Sequence, residues 1–593
     1  MIELNTRQIN EKQQFINQYV AASNAASGSK YDQNANVAHK NIATLAAELN
    51  KDINIQINRH ATAERIKDLF GEPLSKEYIR QIEDHEIYSH DESAVPGTPY
   101  CASVSLYPLL TEGLVSMGGE SKAPKNIESF CGIFINFLFA ASAQYAGAVA
   151  ATELPLYLTY FARKTYGEDY LSTHREEMKA HLQHIVYSIN QPAAARGFQS
   201  VFFNTSLFDK EYYESLFGDF MFPDGEYVEY QHLAEFQEFF MDWLNEERKK
   251  ALLTFPVITA AMLIDKETKQ IKDKDFAEFC ANQLAKGSSF FIYQSESADS
   301  LSSCCRLSNS IEDDVFSNSL GAGGVATGSV KVITINLNRC VQKGIDLKEQ
   351  TKKCQKYLYA YRTLVEYMID NKMLPMYDSG FISLDKQYIT IGLNGVVEAA
   401  EYLGYDVSNN KTYKQFLKDT FSCIKEENKK FRKEMNVLIN TELVPAESLG
   451  VKFAKWDKQD NLKVGRDCYN SYFYKVEDDC ISILDKFWLY STDIVKNLDG
   501  GSALHLNLSN HLPAEGYRAL LDTAAKTGCN FFCTNVLLTV CNECGYINKH
   551  TVGDCSKCFS SDVSYATRVI GYLRKIDSFS IERQQEHKRR HYH

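Results

Sequence analysis

The segment Cys541-Asn542-Glu543-Cys544, then Cys555-Ser556-Lys557-Cys558, then Ala566-Thr567-Arg568-Val569-Ile570-Gly571-Tyr572-Leu573 decides how this chain is read. Two CxxC knuckles can close an all-sulfur tetrahedron around one ion. With no position left open for a substrate, that donor set suits a structural Zn²⁺. Paired knuckles are the strong form of the cysteine signal, although free core cysteines and an iron-sulfur cluster use the same residues. Gly571 follows in a run of β-branched and aromatic residues, where glycine weakens a strand and ordinarily marks a bulge or a close backbone approach.

Bulk properties narrow the function classes. The chain has 593 residues, a formal charge of -12 and a sequence pI near 5.7. An acidic surface opposes general binding to nucleic acid, so a nucleotide would be a small ligand rather than a polymer. Sixteen cysteines behind an N-terminus, Met1-Ile2-Glu3-Leu4-Asn5-Thr6-Arg7, that has no apolar signal core point to a reducing cytoplasm. Residues 130–151 are about long enough to span a bilayer. They carry Asn136 and Gln144 among many small residues, and read as a buried core helix instead.

Upstream of the cysteines, strand-like runs at 199–204, 254–264, 330–337 and 388–394 alternate with helical stretches at 266–286, 347–372 and 396–403, a pattern that favours an α/β fold. Residues 121–151 and 156–190 read as two long helices for core and subunit contacts. A serine-rich loop at 295–309, carrying Cys304-Cys305-Arg306, interrupts the alternation, and a long loop inside an enzyme body is functional or disordered. The run Gly321-Ala322-Gly323-Gly324 to Gly328-Ser329 precedes its strand and lacks GK[ST], so it is a flexible return rather than a phosphate loop. His90-Asp91 leads through Pro99-Tyr100 to Cys101, which by itself would be a small buried hydrophobe. Asn34 and Asn36 read as caps, Pro445-Ala446-Glu447-Ser448 as either a pocket-lining stretch or a polar loop after a strand, and the basic tail 583–593 as a solvated face. The turn Asp499-Gly500-Gly501-Ser502 leads into a further strand.

Arg568-Val569-Ile570-Gly571-Tyr572 resembles the RVxGY loop of glycyl-radical enzymes. The GYL ending, with cysteine knuckles just upstream, is similar to the large catalytic subunit of the anaerobic (class III) ribonucleoside-triphosphate reductases. Such a loop requires glycine because a Cα without Cβ can flatten and share an unpaired electron with its flanking amides. The resemblance implies a ten-stranded α/β barrel with a central finger loop over residues 1–530, with no added ATP cone, followed by a zinc ribbon over 531–562. A glycyl-radical loop and tail occupy 563–593. Gly571 would store the radical, Cys305 (or Cys304) would be the thiyl at the finger tip, and Cys101 would face the other side of the sugar. Cys541, Cys544, Cys555 and Cys558 would hold Zn²⁺. The same resemblance implies a ribonucleoside triphosphate substrate, dNTP or ATP effectors and a homodimer. It also implies a separate radical-S-adenosylmethionine iron-sulfur activase, with no membrane or nucleic-acid partner. Formate-using relatives carry a methionine two residues before the thiyl cysteine and an asparagine before the next strand. Ser303 and Ser329 stand at those places here, so formate and a thioredoxin-like reductant both remain open. A glycyl-radical lyase acting on a small carbon skeleton, and a zinc-ribbon scaffold without activity, are the alternatives.

Overall fold

A computed structural model describes residues 4–31, 36–37, 39–193, 199–298, 300–302, 308–310, 326–443, 448–568 and 571–593. Its main sheet contains β1 (Ile87–Ser89), β2 (Cys101–Ser103), β3 (Val149–Ala150), β4 (Phe203–Phe208), β5 (Val257–Leu263), β6 (Phe291–Ser295), β7 (Thr327–Asn336), β8 (Gln387–Asn394), β9 (Ile439–Leu443), β10 (Leu504–Leu508) and β11 (Phe531–Val536). The spatial order is β9-β8-β7-β2-β3-β4-β5-β6-β11-β10, with β1 also paired to β7. Strands β2 to β6 run parallel to one another, as do β7, β8 and β9. These halves meet at antiparallel seams, β7 on β2 and β6 on β11.

The sheet closes on itself. Glu442 in β9 bridges Gly501 in parallel, Leu443 donates its N–H to the Gly501 carbonyl at 3.2 Å, and Gly500 donates to the Thr441 carbonyl at 2.8 Å. The residues leading into β10 therefore meet the opposite edge, and ten strands surround a barrel. Glycine is needed at this closure, because a Cβ at Gly500 would lie 2.7 Å from the Thr441 carbonyl oxygen and Gly501 has φ +103°. Alternation along the strands sorts the two faces. In β8, Ile389, Ile391 and Leu393 join the apolar core, while Thr390 bonds Ser329 and Asn440 on the opposite face.

Helices cover the outside: α1 (Ile127–Ser142), α2 (Leu154–Tyr166), α3 (Tyr230–Glu247), α4 (Lys274–Ala285), α5 (Leu347–Asp370), α6 (Lys411–Met435) and α7 (Ala514–Thr527). α5 lies over β7 and β8, and α4 packs on α7. α1 begins at a capping box between Asn126 and Ser129 and buries Phe130, Phe134 and Phe137, so the apolar run is a core helix. Among the described residues no helix is long and apolar enough to cross a membrane. The two long helices read at 121–151 and 156–190 are shorter. The first stops at Ser142 and yields Val149–Ala150 to the sheet, because Gly147 lies against β2, where a Cβ would sit 2.9 Å from the Tyr100 carbonyl oxygen. The second breaks at Gly167, φ +85°, before the helix Arg175–Ile189.

Only Leu537 separates β11 from the ribbon, so the barrel sheet continues past the boundary drawn at residue 530. The ribbon comprises β12 (Leu538–Cys541), β13 (Ile547–Asn548), β14 (Val563–Arg568) and β15 (Leu573–Lys575), antiparallel in the order β13-β12-β14-β15. Its own core is Val540, Ile547 and Ala566, too little apolar area to hold a fold without a staple.

The C-terminal tail is not a solvated face. Helix α8 (Ile581–Arg589) buries Arg583 and Glu586, and beyond it Arg590 is 6 % exposed. His591 donates its N–H to Val476, His593 donates to Asn507 and accepts from Ser509. The basic run is stable in the interior because Arg590 makes two bonds to Glu586, at 2.9 and 3.1 Å. Burial alone would favour a neutral Glu586, but Arg590 and then Arg583 outweigh it and lower its pKa.

Candidate active site and metal cluster

The four ribbon cysteines converge. Their ligand atoms all lie within 4.8 Å of one another, with Cys541 Sγ 3.5 Å from Cys558 Sγ and Cys544 Sγ 3.7 Å from Cys555 Sγ. A tetrahedral ion with metal–sulfur bonds of about 2.3 Å requires sulfur separations of about 3.8 Å. The thiols are not disulfide-bonded, and the Cys544 and Lys557 N–H groups point at Cys541 Sγ and Cys555 Sγ, each at 3.4 Å. The donor set therefore fits one metal ion without rearrangement.

Cys101 is 1 % exposed and opens β2, directly opposite Ser329 on β7. Gly328 makes that approach possible. Its φ is +155°, and a Cβ there would overlap the Cys101 carbonyl oxygen and lie 2.9 Å from Ala102 Cα. The same carbonyl accepts from Gln387 Nε2 at 3.2 Å, and Gln387 Oε1 accepts from the Tyr377 hydroxyl at 2.6 Å. Beside it, burial first, then Tyr377 and Cys101, raise the Tyr145 phenol far above its ordinary pKa, so it stays protonated. Thr390 donates to Asn440 Oδ1 at 2.7 Å, which leaves Ser329 to donate to Thr390 at 2.8 Å. Strand register carries Ser103 onto the same face as Asn204 through Ala150. It likewise aligns Ser206, Thr259, Phe291, Cys533 and His505 across four further strands. On this polar face Ser103 Oγ and Asn440 Nδ2 are buried without a hydrogen-bond partner.

Gly571 is buried, and its flanks are fixed to the barrel on both sides. Upstream, the Arg568 guanidinium lies 4.5 Å over Phe291, the first residue of β6, and the Arg568 carbonyl faces Arg590 Nη1 at 3.5 Å. Downstream, Tyr572 meets Phe202 edge-on at 5.5 Å, the Leu573 carbonyl accepts from Thr254 Oγ1 at 3.0 Å, and Arg574 bonds the Asn36 backbone and side-chain oxygens. Asn36, read from sequence as a cap, ties this loop to the segment just before β4 by donating to the Ser200 carbonyl at 3.0 Å. Phe202 and Thr254 precede β4 and β5. Because β2 to β6 are parallel, the loop docks at the end of the barrel where Cys101 opens β2.

Residues 47–593 match the family model described as anaerobic ribonucleoside-triphosphate reductase. The chain belongs to this family. A solved anaerobic ribonucleotide reductase is 26% identical and superposes with a TM-score of 0.85 over 99% of this chain and 93% of the other. The Thermotoga maritima anaerobic ribonucleotide reductase in complex with dATP and CTP is 25% identical, TM-score 0.82, over 99% and 100% of the two chains. The same enzyme with dATP bound in the specificity site gives 25% and 0.81, over 98% and 100%. No curated protein sequence matches the chain significantly.

The reaction of this anaerobic reductase is reduction of ribonucleoside triphosphates, and the reductase reading holds over the lyase alternative because the family match runs through barrel, ribbon and loop alike. Of the residues singled out from sequence, the four ribbon cysteines are brought together, and Cys101 and Gly571 stand at one end of the barrel. Cys304, Cys305, Arg306 and Ser303 lie outside the described residues, as do Gly321 to Gly324, Asn34 and Pro445 to Glu447. An antiparallel pair, Ser300–Ser302 with Ser308–Ser310, flanks the cysteine pair in sequence. Tyr145, Tyr377, Gln387, Phe291 and the Glu586–Arg590 clamp were not foreseen. Only Gly328, at the end of a glycine run just before the strand-like run at 330–337, carried a signal for the close approach at Cys101.

Proposed function

We propose that Gly571 stores an unpaired electron that a finger-loop cysteine, Cys305 or its neighbour Cys304, borrows to reduce the substrate ribose. The observation that carries this is the docking of the Gly571 loop at the barrel end that holds Cys101. Transfer between a peptidyl Cα–H and a thiol S–H is nearly balanced, so a glycine can hold the spin between turnovers and a cysteine can use it. The thiyl would take the 3′ hydrogen atom of the ribose, and the 2′ hydroxyl would leave as water. Cys101 would supply one hydrogen atom to the sugar and the external reductant the second electron and proton, and the 3′ hydrogen would return from the thiol at the end. The net change is two electrons and two protons added per triphosphate, with one water released. Ser103 Oγ and Asn440 Nδ2, unpartnered on the barrel's polar face, are suited to bond the sugar or its phosphates.

Zn²⁺ is the ion proposed for the four cysteines, with a structural role, since thiolates fill every position. It would anchor the chain immediately before a loop that has to reach into the barrel. The reading includes a cytoplasmic homodimer, a radical-S-adenosylmethionine activase, and dNTP or ATP effectors, with dATP and CTP sites like those of the Thermotoga maritima enzyme in complex with dATP and CTP. For the reductant, Ser329 is tied to Thr390 beside Cys101, and a thioredoxin-like protein is favoured over formate. The test is anaerobic turnover of activated protein with CTP and ¹⁴C-formate. Labelled CO₂ in step with deoxycytidine triphosphate would exclude the thioredoxin-like route, and absence of any deoxy product would remove the whole proposal.

A further inference from the structure

Where the ribbon meets the barrel, Arg248, Arg568 and Lys549 line a cavity of about 20 Å³, and its described lining contains no carboxylate. Buried guanidinium groups are ordinarily paired with acids, because an uncompensated charge away from water is costly. Arg568 is 3 % exposed. Its flat face rests on Phe291, yet Nε and Nη1 have no hydrogen-bond partner. Arg248 gives its N–H groups to the Leu253, Ser289 and Pro256 carbonyls at 3.2, 3.3 and 3.3 Å, which are neutral acceptors. Burial first, and then the neighbouring Arg568 charge, push the Arg248 pKa down to about 10, the signature of two cations sharing one dry space.

The other polar groups there do not balance the charge. His511 Nε2 donates to the Lys549 carbonyl at 3.0 Å and its Nδ1 accepts from the Tyr517 hydroxyl at 3.1 Å, so it is neutral and already satisfied. Lys549 donates to Asn245 Oδ1 and to the Lys286 carbonyl. Size limits the occupant. A water needs about 10–15 Å³ of such volume, so the cavity takes one small species and excludes a phosphate or nucleotide.

We propose that this cavity binds one monovalent anion of halide size, held by the free edge of Arg568 and by the charge of Arg248, which locks the Gly571 loop to the joint between ribbon and barrel. The proposal needs no radical and survives if the reading of Gly571 fails.

Two measurements on the full-length, metal-loaded protein test it. Crystals soaked in sodium bromide should show an anomalous difference peak in this cavity. Melting temperature, compared in sodium bromide or chloride against sodium gluconate at equal ionic strength, should rise saturably at millimolar halide and stay flat in gluconate, whose anion is too large. Arg248→Met should abolish the halide-dependent rise; if that variant does not fold, the wild-type comparison decides. An ordered water without an anomalous peak would overturn the proposal. A bromide peak with identical melting curves in halide and gluconate would mean an adventitious ion only, and would overturn it equally.

Discussion

The ribbon and the β2/β7 seam both place cysteines, and they do so by opposite means. The ribbon gathers four thiols from residues 541–558 around a core of three apolar side chains, so its order is borrowed from whatever ion it binds. The seam sets Cys101 opposite Ser329, far away in sequence, and relies on close backbone approach between two barrel strands. The first should fail when a ligand is removed, and the second when a backbone contact is changed. Gly571 lies between the ribbon strands β14 and β15, yet its flanks are clamped to the barrel, so it depends on both.

The largest expected effect is at that shared point. Gly571→Ala should abolish the radical signal and all deoxynucleotide formation while circular dichroism and melting temperature match the parent; retained turnover would detach the chemistry from this loop. Next, stripping the metal with a chelator, or Cys544→Ser, should raise amide exchange across residues 538–575 by orders of magnitude, since metal binding in such small units is most of their folding free energy. The barrel transition in calorimetry should stay put. Equal loss in both regions would erase the distinction between them.

Arg590→Ala takes the nearer of two cationic partners from the buried Glu586 and leaves it Arg583 at 3.6 Å, a change worth up to about 3 kcal/mol. It should appear as faster exchange of the Gly571 loop and tail, with the seam unaffected. Gly328→Ala acts on the opposite side. Strain at φ +155° and overlap with the Cys101 backbone should lower stability by about 2 kcal/mol. It should also reduce kcat more than KM, because Cys101 itself is displaced.

The smallest effect is a pH dependence confined to the barrel. Burial raises the Glu153 carboxyl to about 7 from an ordinary 4.5. The protonated form is therefore favoured in the folded state, and its contribution is complete below pH 4.5 and lost as pH rises through 7. Melting temperature should fall across that window, and Glu153→Gln, which keeps an acceptor for the Leu106 N–H, should flatten the fall.

What was legible in the sequence was local or periodic. The CxxC pairs carry their geometry in their spacing, and the alternation of strands and helices pointed to an α/β fold because β8 and its neighbours keep one apolar face, while the barrel came from the family resemblance. Contacts between distant segments were hidden. A strand as short as Val149–Ala150 has no period to detect, so it vanished into an apolar helix-like run. The glycine run ending at Gly328 was visible as turn chemistry, but only its partner across the seam shows what its last member is for. Gly500 and Gly501, open in role from sequence, turn out to close the barrel. The tail's arginines suggested solvent because a charge run discloses nothing about Glu586 turning back onto it.

The most direct test of the central claim is anaerobic electron paramagnetic resonance of activated protein grown with ordinary or α-deuterated glycine. A single α-hydrogen on Gly571 should give a doublet that collapses to a singlet on deuteration, disappears in Gly571→Ala, and persists through turnover of ribonucleoside triphosphate. A signal unchanged by deuteration, or deoxynucleotide formation without any such doublet, would contradict a radical held at Gly571.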